Sequence, residues 1–313
     1  MKKTTIVVLL FSFVSLISAC SGKGNQYKEE LILALENDTV PQQYRFEGAL
    51  DYNLNLTGIQ QQLSGTDQKL PLLQSFEKSR IEFAGKTDLE QTKLEADIQF
   101  ESGDFALSIP FLIQDERMYF HIPMVNVQDE YMAVPLDASA RDRSVDATSV
   151  IKNLLKEIVQ EINGKWFEAD ENTGNSAEEH TKTTISIEIS KKSWLSIMLD
   201  LKGALPDLLA ILTDEQWISE EQADTLEQLL TSDEMIDFVK NIKLTKPGQL
   251  AFTIDEEHQI YGIQLQLYLN VDGEEQYIDF HYDLSDFNQP PAFDKQVPEQ
   301  IIRYEDLLKF IQP

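Results

Sequence analysis

Between Tyr261 and Leu284 the apolar residues fall on every second position. Tyr261, Ile263, Leu265, Leu267, Leu269 and Val271 alternate with other residues, Asp272-Gly273 follows, and Ile278, Phe280, Tyr282 and Leu284 resume the alternation. A period of two sends successive side chains to opposite faces of a strand. Asp-Gly between two such runs is a strong hairpin signal. The segment therefore predicts a long antiparallel hairpin with one apolar face. The same period recurs at Phe46, Gly48, Leu50, Tyr52, Leu54 and Leu56, at Ile81 and Phe83, and at Leu94, Ala96, Ile98 and Phe100. It continues through Phe105, Leu107, Ile109, Phe111 and Ile113, then Met118, Phe120 and Ile122, with turns at Glu101–Asp104 and Gln114–Glu116. Connections this short make antiparallel neighbours in a meander. Lys165–Glu168, Ile185–Ile189 and Leu250–Ile254 read as further strands.

Other segments change to a helical period. Tyr27–Glu36 places Leu31, Ala34 and Leu35 on one side. From about Asp146, residues Val150, Ile151, Leu154, Leu155, Ile158, Val159 and Ile162 recur at three and four, with Gly164 as the stop. Trp194–Leu212 is strongly apolar, and Gly203 and Pro206 predict a break or kink in it. Ser219 opens a helix with Ala223, Leu226, Leu229 and Leu230 inward, and Ser232 reads as the N-cap of the next. Pro290-Pro291 marks a linker. Pro298 then starts an expected amphipathic helix carrying Ile301, Ile302, Tyr304, Leu307 and Leu308. One large antiparallel sheet with helices on one face, an α+β architecture, fits this order.

The first twenty residues add a destination. Lys2 and Lys3 precede an apolar run from Ile6 to Ile17, and small residues Ser18 and Ala19 lead to Cys20. This is the order of an export signal, and its apolar run falls short of the roughly 20 residues a membrane span needs. The run resembles the lipobox of bacterial lipoproteins. That resemblance implies cleavage before Cys20, diacylglycerol on its thiol, and residence at the extracytoplasmic face of the cell membrane. Two acyl chains suffice for stable anchoring. The expected organisation is a signal peptide over 1–19, lipidated Cys20 and a flexible tether over 20–26, an α+β domain over 27–289, and a linker with a final helix over 290–313. Cys20 is the only cysteine, so no intramolecular disulfide forms. The chain carries 26 Lys+Arg against 54 Asp+Glu, and removing Lys2 and Lys3 takes the net charge from −28 to −30. Such a surface repels nucleic acid and anionic headgroups.

The succession of lipobox, first helix, long strand, meander, central helix, Lys-Trp-Phe strand, helical insert and closing hairpin resembles the LolA/LolB and LppX/LprG type of lipid-carrier lipoproteins. The resemblance covers roughly Tyr27–Phe287 and implies a strongly curved half-barrel sheet with helices packed on its concave face around an acyl-chain cavity. The residues themselves supply candidates for an apolar ligand cavity: Phe46, Leu50, Leu54, Phe100, Phe105, Ile109, Phe111, Phe120, Phe252, Leu265, Leu267 and Phe280. For any one of them taken singly, plain core packing is the leading account, because interiors are usually filled.

Chemistry is sparse. Ser75–Lys78 and Ser149–Lys152 match Ser-x-x-Lys but lack the accompanying motifs of penicillin-binding enzymes. His121, His180, His258 and His281 are scattered. Asp170–Gly174 resembles the start of a calcium loop, but its glycine falls one place early and no glutamate stands at the twelfth position. No catalytic residue, metal or cofactor is expected. The leading expectation is a membrane-anchored module that binds or transfers a lipid or other apolar ligand. The alternative is an envelope protein-interaction or sensory module with no cavity.

Overall fold

A computed structural model of the chain describes residues 22–37, 39, 41–55, 77–123, 126, 127, 130–136, 138–172, 182–271 and 273–303. The signal peptide, Cys20, Leu56, Ser75, His180, Asp272 and residues 304–313 lie outside them.

Two compact units share the chain: unit 1 is Met1–Asp38 with Val150–Ile260, and unit 2 is Thr39–Ser149 with Tyr261–Pro313. Unit 2 is built on β1 (Gln43–Asn53), β2 (Lys78–Asp88), β3 (Lys93–Ser102), β4 (Phe105–Gln114), β5 (Arg117–Phe120) and β6 (Glu130–Pro135). The chain re-enters it through β11 (Ile260–Val271), β12 (Glu274–Ser285) and β13 (Gln300–Arg303). These nine strands run in the order β13-β6-β5-β4-β3-β2-β1-β12-β11. The pairings along this order are antiparallel except that of β13 with β6, which is parallel. The expected meander and closing hairpin are thus present in a large, open, mostly antiparallel sheet, and the fold is α+β.

Unit 1 carries α1 (22–36), the part of α2 (Ala138–Glu161) from Val150 onward, β7 (Phe167–Asn172), β8 (Lys182–Ile189), α3 (Trp194–Asp214), α4 (Glu220–Thr231), α5 (Asp233–Asn241), the short β9 (Lys243–Leu244) and β10 (Gly248–Asp255). β8 sits between β7 and β10, all antiparallel. Its core is dry: Phe252 faces Ile185 across β10 and β8, Phe167 faces Ile187 across β7 and β8, and all four are buried. Leu31, Ala34 and Leu35 of α1 are buried, on the face the sequence predicts.

Several expectations need correction. The flexible tether expected through Gln26 is helical from residue 22. Two contacts hold it so. Gly24 packs so closely on the Gly164 carbonyl that no Cβ would fit, and Lys28 donates to the carbonyl oxygens of Gln160 and Ile162 at the end of α2. α2 starts at Ala138, not near Asp146, because its first two turns are polar and carry no periodic signal. Pro206 does not break α3, which runs from Trp194 to Asp214 through it. Lys165 and Trp166 form a 3-10 turn ahead of β7 rather than strand.

β6 carries no strand signal in the sequence, since Tyr131–Val134 is an unbroken apolar run without alternation. The final helix expected from Pro298 is replaced, at Gln300–Arg303, by β13. There Ile301 and Ile302 pair with Tyr131 and Met132 of β6. Two adjacent β-branched residues suit a strand, and the open β6 edge supplies the partner that an isolated helix would lack.

Candidate functional site

Cross-strand partners share a face of a sheet, so the register of unit 2 sorts its side chains. One row runs Leu265–Phe280–Leu50–Ile81–Phe100–Leu107. The adjacent row runs Ile263–Tyr282–Gly48–Phe83–Ile98–Ile109. A third runs Leu284–Phe46–Gly85–Ala96–Phe111–Phe120–Met132. All belong to one face, and no charged side chain occurs in the three rows.

The register therefore brings together Phe46, Leu50, Phe100, Ile109, Phe111, Phe120, Leu265 and Phe280 from the predicted set. Leu267 is in phase one pair further along, opposite Ile278. Leu54 follows β1 in the same phase, held by its N–H donating to the Glu77 carbonyl at 2.7 Å. Phe105 stands at the mouth of β4, opposite Ser102 and 41% exposed, with its ring 6.0 Å from that of Phe100. Phe252 belongs to unit 1, where it is 0% exposed and faces Ile185 across β10 and β8.

The glycines are part of the face. Phe83 lies opposite Gly48, and Phe46 lies opposite Gly85, so each ring covers a glycine on the neighbouring strand. A Cβ on Gly48 would sit 2.5 Å from the His281 carbonyl oxygen and from the Phe83 ring. The absence of side chains lets the aromatic rings approach the backbone closely. Burial pushes the Tyr282 hydroxyl far above the usual phenol range, with Tyr44 adding to the shift. The face thus stays uncharged through any physiological pH.

Burial separates the two units. Unit 2 contributes only Ala49, Ala96, Leu112, Tyr119, Met132 and Ala133 to the fully buried hydrophobic residues among those described. Leu112, Tyr119 and Ala133 form a small cluster on the other side of the sheet, against Tyr131 and Val297. The large apolar side chains of strands β1–β4, β11 and β12 in the three rows are all half-buried, none fully. A sheet of this size offers a broad apolar surface that its own unit leaves partly open.

Away from that cluster, over β1–β3, the opposite face of unit 2 is largely polar, and the stretch 286–299 crosses it. Glu95 is nearly buried there, bonded to the backbone N–H groups of Asp294 and Lys295 and to Lys86. A recess of about 530 Å³ beside it is bordered by Arg45, Lys86, Asp97, Asp286 and Lys295. Those charges are already matched: Arg45 with Asp286 at 2.8 Å, Lys86 with Glu95 at 2.9 Å, and Lys295 with Asp97 at 2.7 Å. This recess is a structural ion-pair network.

The motifs with chemical potential stay apart. The Lys152 ammonium of the Ser149–Lys152 pair donates to the Asn37 carbonyl at 2.6 Å. His121 is bonded through Nδ1 to the Glu130 carbonyl at 2.7 Å, His258 sits in a turn at φ 59°, and His281 is exposed.

A second apolar feature, in unit 1, was missed at the level of sequence. Helices α3, α4 and α5 surround a recess of about 270 Å³ lined by Leu195, Leu199, Leu205, Leu208, Leu230 and other apolar groups, with Lys202 among them. Its signal was present in Trp194–Leu212, which is apolar on all sides and so has more apolar surface than one buried face can use.

No family model matches the chain, and no curated protein matches it. Among solved structures it is similar to a DUF1329 family protein from Desulfovibrio piger ATCC 29098. That alignment covers 86% of this chain and 94% of the other at 8% identity, with a TM-score of 0.20. A likeness at that level carries no argument about fold or function.

Proposed function

We propose that this chain is a membrane-anchored, extracytoplasmic lipoprotein that binds or carries a lipid or other apolar ligand, and is not an enzyme. The observation that carries the reading is the half-buried, charge-free apolar face of the unit 2 sheet. Burying apolar surface is favourable by roughly 25 cal/mol per Å². A face of this extent left partly open is a standing site for an acyl chain or a similar ligand. The Cys20 lipobox supplies the anchor. Among the described residues, no helix is long and apolar enough to cross a membrane.

Native mass spectrometry of the chain from Ser21 onward, purified without detergent, tests this. The expected result is a mass increment of one lipid-sized ligand that solvent extraction releases. Replacing Ile109 or Leu265 with aspartate abolishes it while circular dichroism stays unchanged. A clean apo mass, together with no uptake of added fatty acid or phospholipid, overturns the reading in favour of a protein-interaction module.

A further inference from the structure

The recess among α3, α4 and α5 is a second apolar site, and every group that forms it belongs to unit 1. The inference does not depend on the sheet face of unit 2.

α3 buries Trp194, Ile197, Ala204 and Leu209 on its inner side. Its other side is apolar too. Leu195 is 42% exposed and Leu199 52% exposed, and α4 adds Leu230 at 37%. On a helix, residues at i, i+4 and i+7 share a stripe. Leu195, Leu199 and Lys202 have this spacing, so the lysine stands one turn beyond the exposed leucines. α4 has no buried residue at all. What keeps it helical is its own capping box, in which Ser219 accepts from the Gln222 N–H and the Gln222 side chain accepts from the Ser219 N–H. It borders the recess through Leu230.

The chemistry of the lining selects the occupant. Its groups are apolar except Lys202, which forms no salt bridge among the described residues. Lys202 is the one charged residue among the described residues that line the recess, so it alone offers a partner to an anionic group there. The global negative charge does not cancel its pull, because exposed charges beyond a screening length of about 8 Å are largely damped. The volume of about 270 Å³ corresponds to about nine water volumes at roughly 30 Å³ each, which suits part of one hydrocarbon chain rather than a two-chain lipid.

We propose that this recess binds a single-chain anionic amphiphile, a fatty acid. Its methylenes pack between Leu195, Leu199 and Leu230, and its carboxylate pairs with the Lys202 ammonium.

Photoaffinity labelling of the full chain in its native membranes tests this, using a diazirine-bearing palmitic acid and the matching hexadecanol. The expected result is palmitate label on the peptide spanning Trp194–Asp214. Lys202→Glu should reduce the acid label at least fivefold and the alcohol label less than twofold, and Lys202→Arg should restore the acid label. Leu199→Asp should remove both. Three outcomes overturn the proposal: acid and alcohol labelling that respond alike to Lys202→Glu, no label on this peptide, or label there only from a diazirine phosphatidylglycerol, which would make the surface a membrane contact. Label on Phe105–Gln114 reports the sheet face separately and shows that the protein is folded, so either site can fail without the other.

Discussion

The Glu95 carboxylate on β3 accepts the backbone N–H of Lys295, two hundred residues further along the chain, at 2.8 Å. It also accepts the Asp294 N–H at 2.9 Å and pairs with Lys86 Nζ at 2.9 Å. Around it Lys295 Nζ reaches Asp97, and Lys93 Nζ lies 4.5 Å from the centre of the Phe293 ring. One buried carboxylate thus fixes the return of the chain across the polar face before it pairs as β13.

This gives a pH dependence with a definite sign. Burial by itself raises the Glu95 carboxyl, but the Lys295 N–H, the Lys86 ammonium and the Asp294 N–H outweigh it and hold the group below the usual range. A carboxyl depressed in the folded state stabilises above its unfolded value, about 4.3, and that stability is lost as pH falls through the lower folded value. Urea melts from pH 7 to pH 3 should show this loss in the natural chain. Glu95→Gln should be weaker by about 1.5–3 kcal/mol at pH 7 and should lack that part of the acid dependence.

Phe252 and Phe111 should respond differently to truncation. Phe252→Ala opens a cavity in the unit 1 core and should cost about 3–5 kcal/mol without affecting ligand at the sheet face. Phe111→Ala, at a half-buried position, should cost only roughly 1–2 kcal/mol but reduce the bound apolar ligand seen by native mass spectrometry.

Lys28→Met should loosen α1. The ammonium donates to the Ile162 carbonyl at 2.9 Å and to that of Gln160, in the C-terminal turn of α2, where a cation also complements the helix dipole. The expected loss is about 1–2 kcal/mol, read as faster amide exchange over residues 22–36.

Ser219→Ala removes one half of the α4 capping box and should cost that helix about 1 kcal/mol. Because α4 buries no residue, the change should appear as faster exchange in Glu220–Thr231, with the global unfolding midpoint almost unmoved.

Gly48→Val should destabilise unit 2 by about 1–3 kcal/mol through overpacking. The added atoms would meet the His281 carbonyl and the Phe83 ring. A lower unfolding midpoint, with changed near-UV aromatic signal, would check it.

Legibility in the sequence followed the range of the forces involved. Alternation between Tyr261 and Leu284 identified β11 and β12, because a period of two is imposed by the strand itself. The same rule put eight candidates, from Phe46 to Phe280, into the three rows of one face, with Leu54 and Leu267 in the same phase. It could not tell that Phe252, with the same pattern, lies in a different unit and is sealed there. Nor could it see the sealing of Glu95, whose partners are two hundred residues away.

What the sequence by itself determined, then, is the local periodicity: the long strands and helices that carry it, and which side of each is apolar. Only the tertiary structure decided which apolar sides are dry and which stay half open, and that β13 is a strand where local pattern favours a helix. The reason is physical. Periodicity is written into neighbouring residues, whereas burial and the pairing of an open strand edge depend on segments that meet only after the chain has folded.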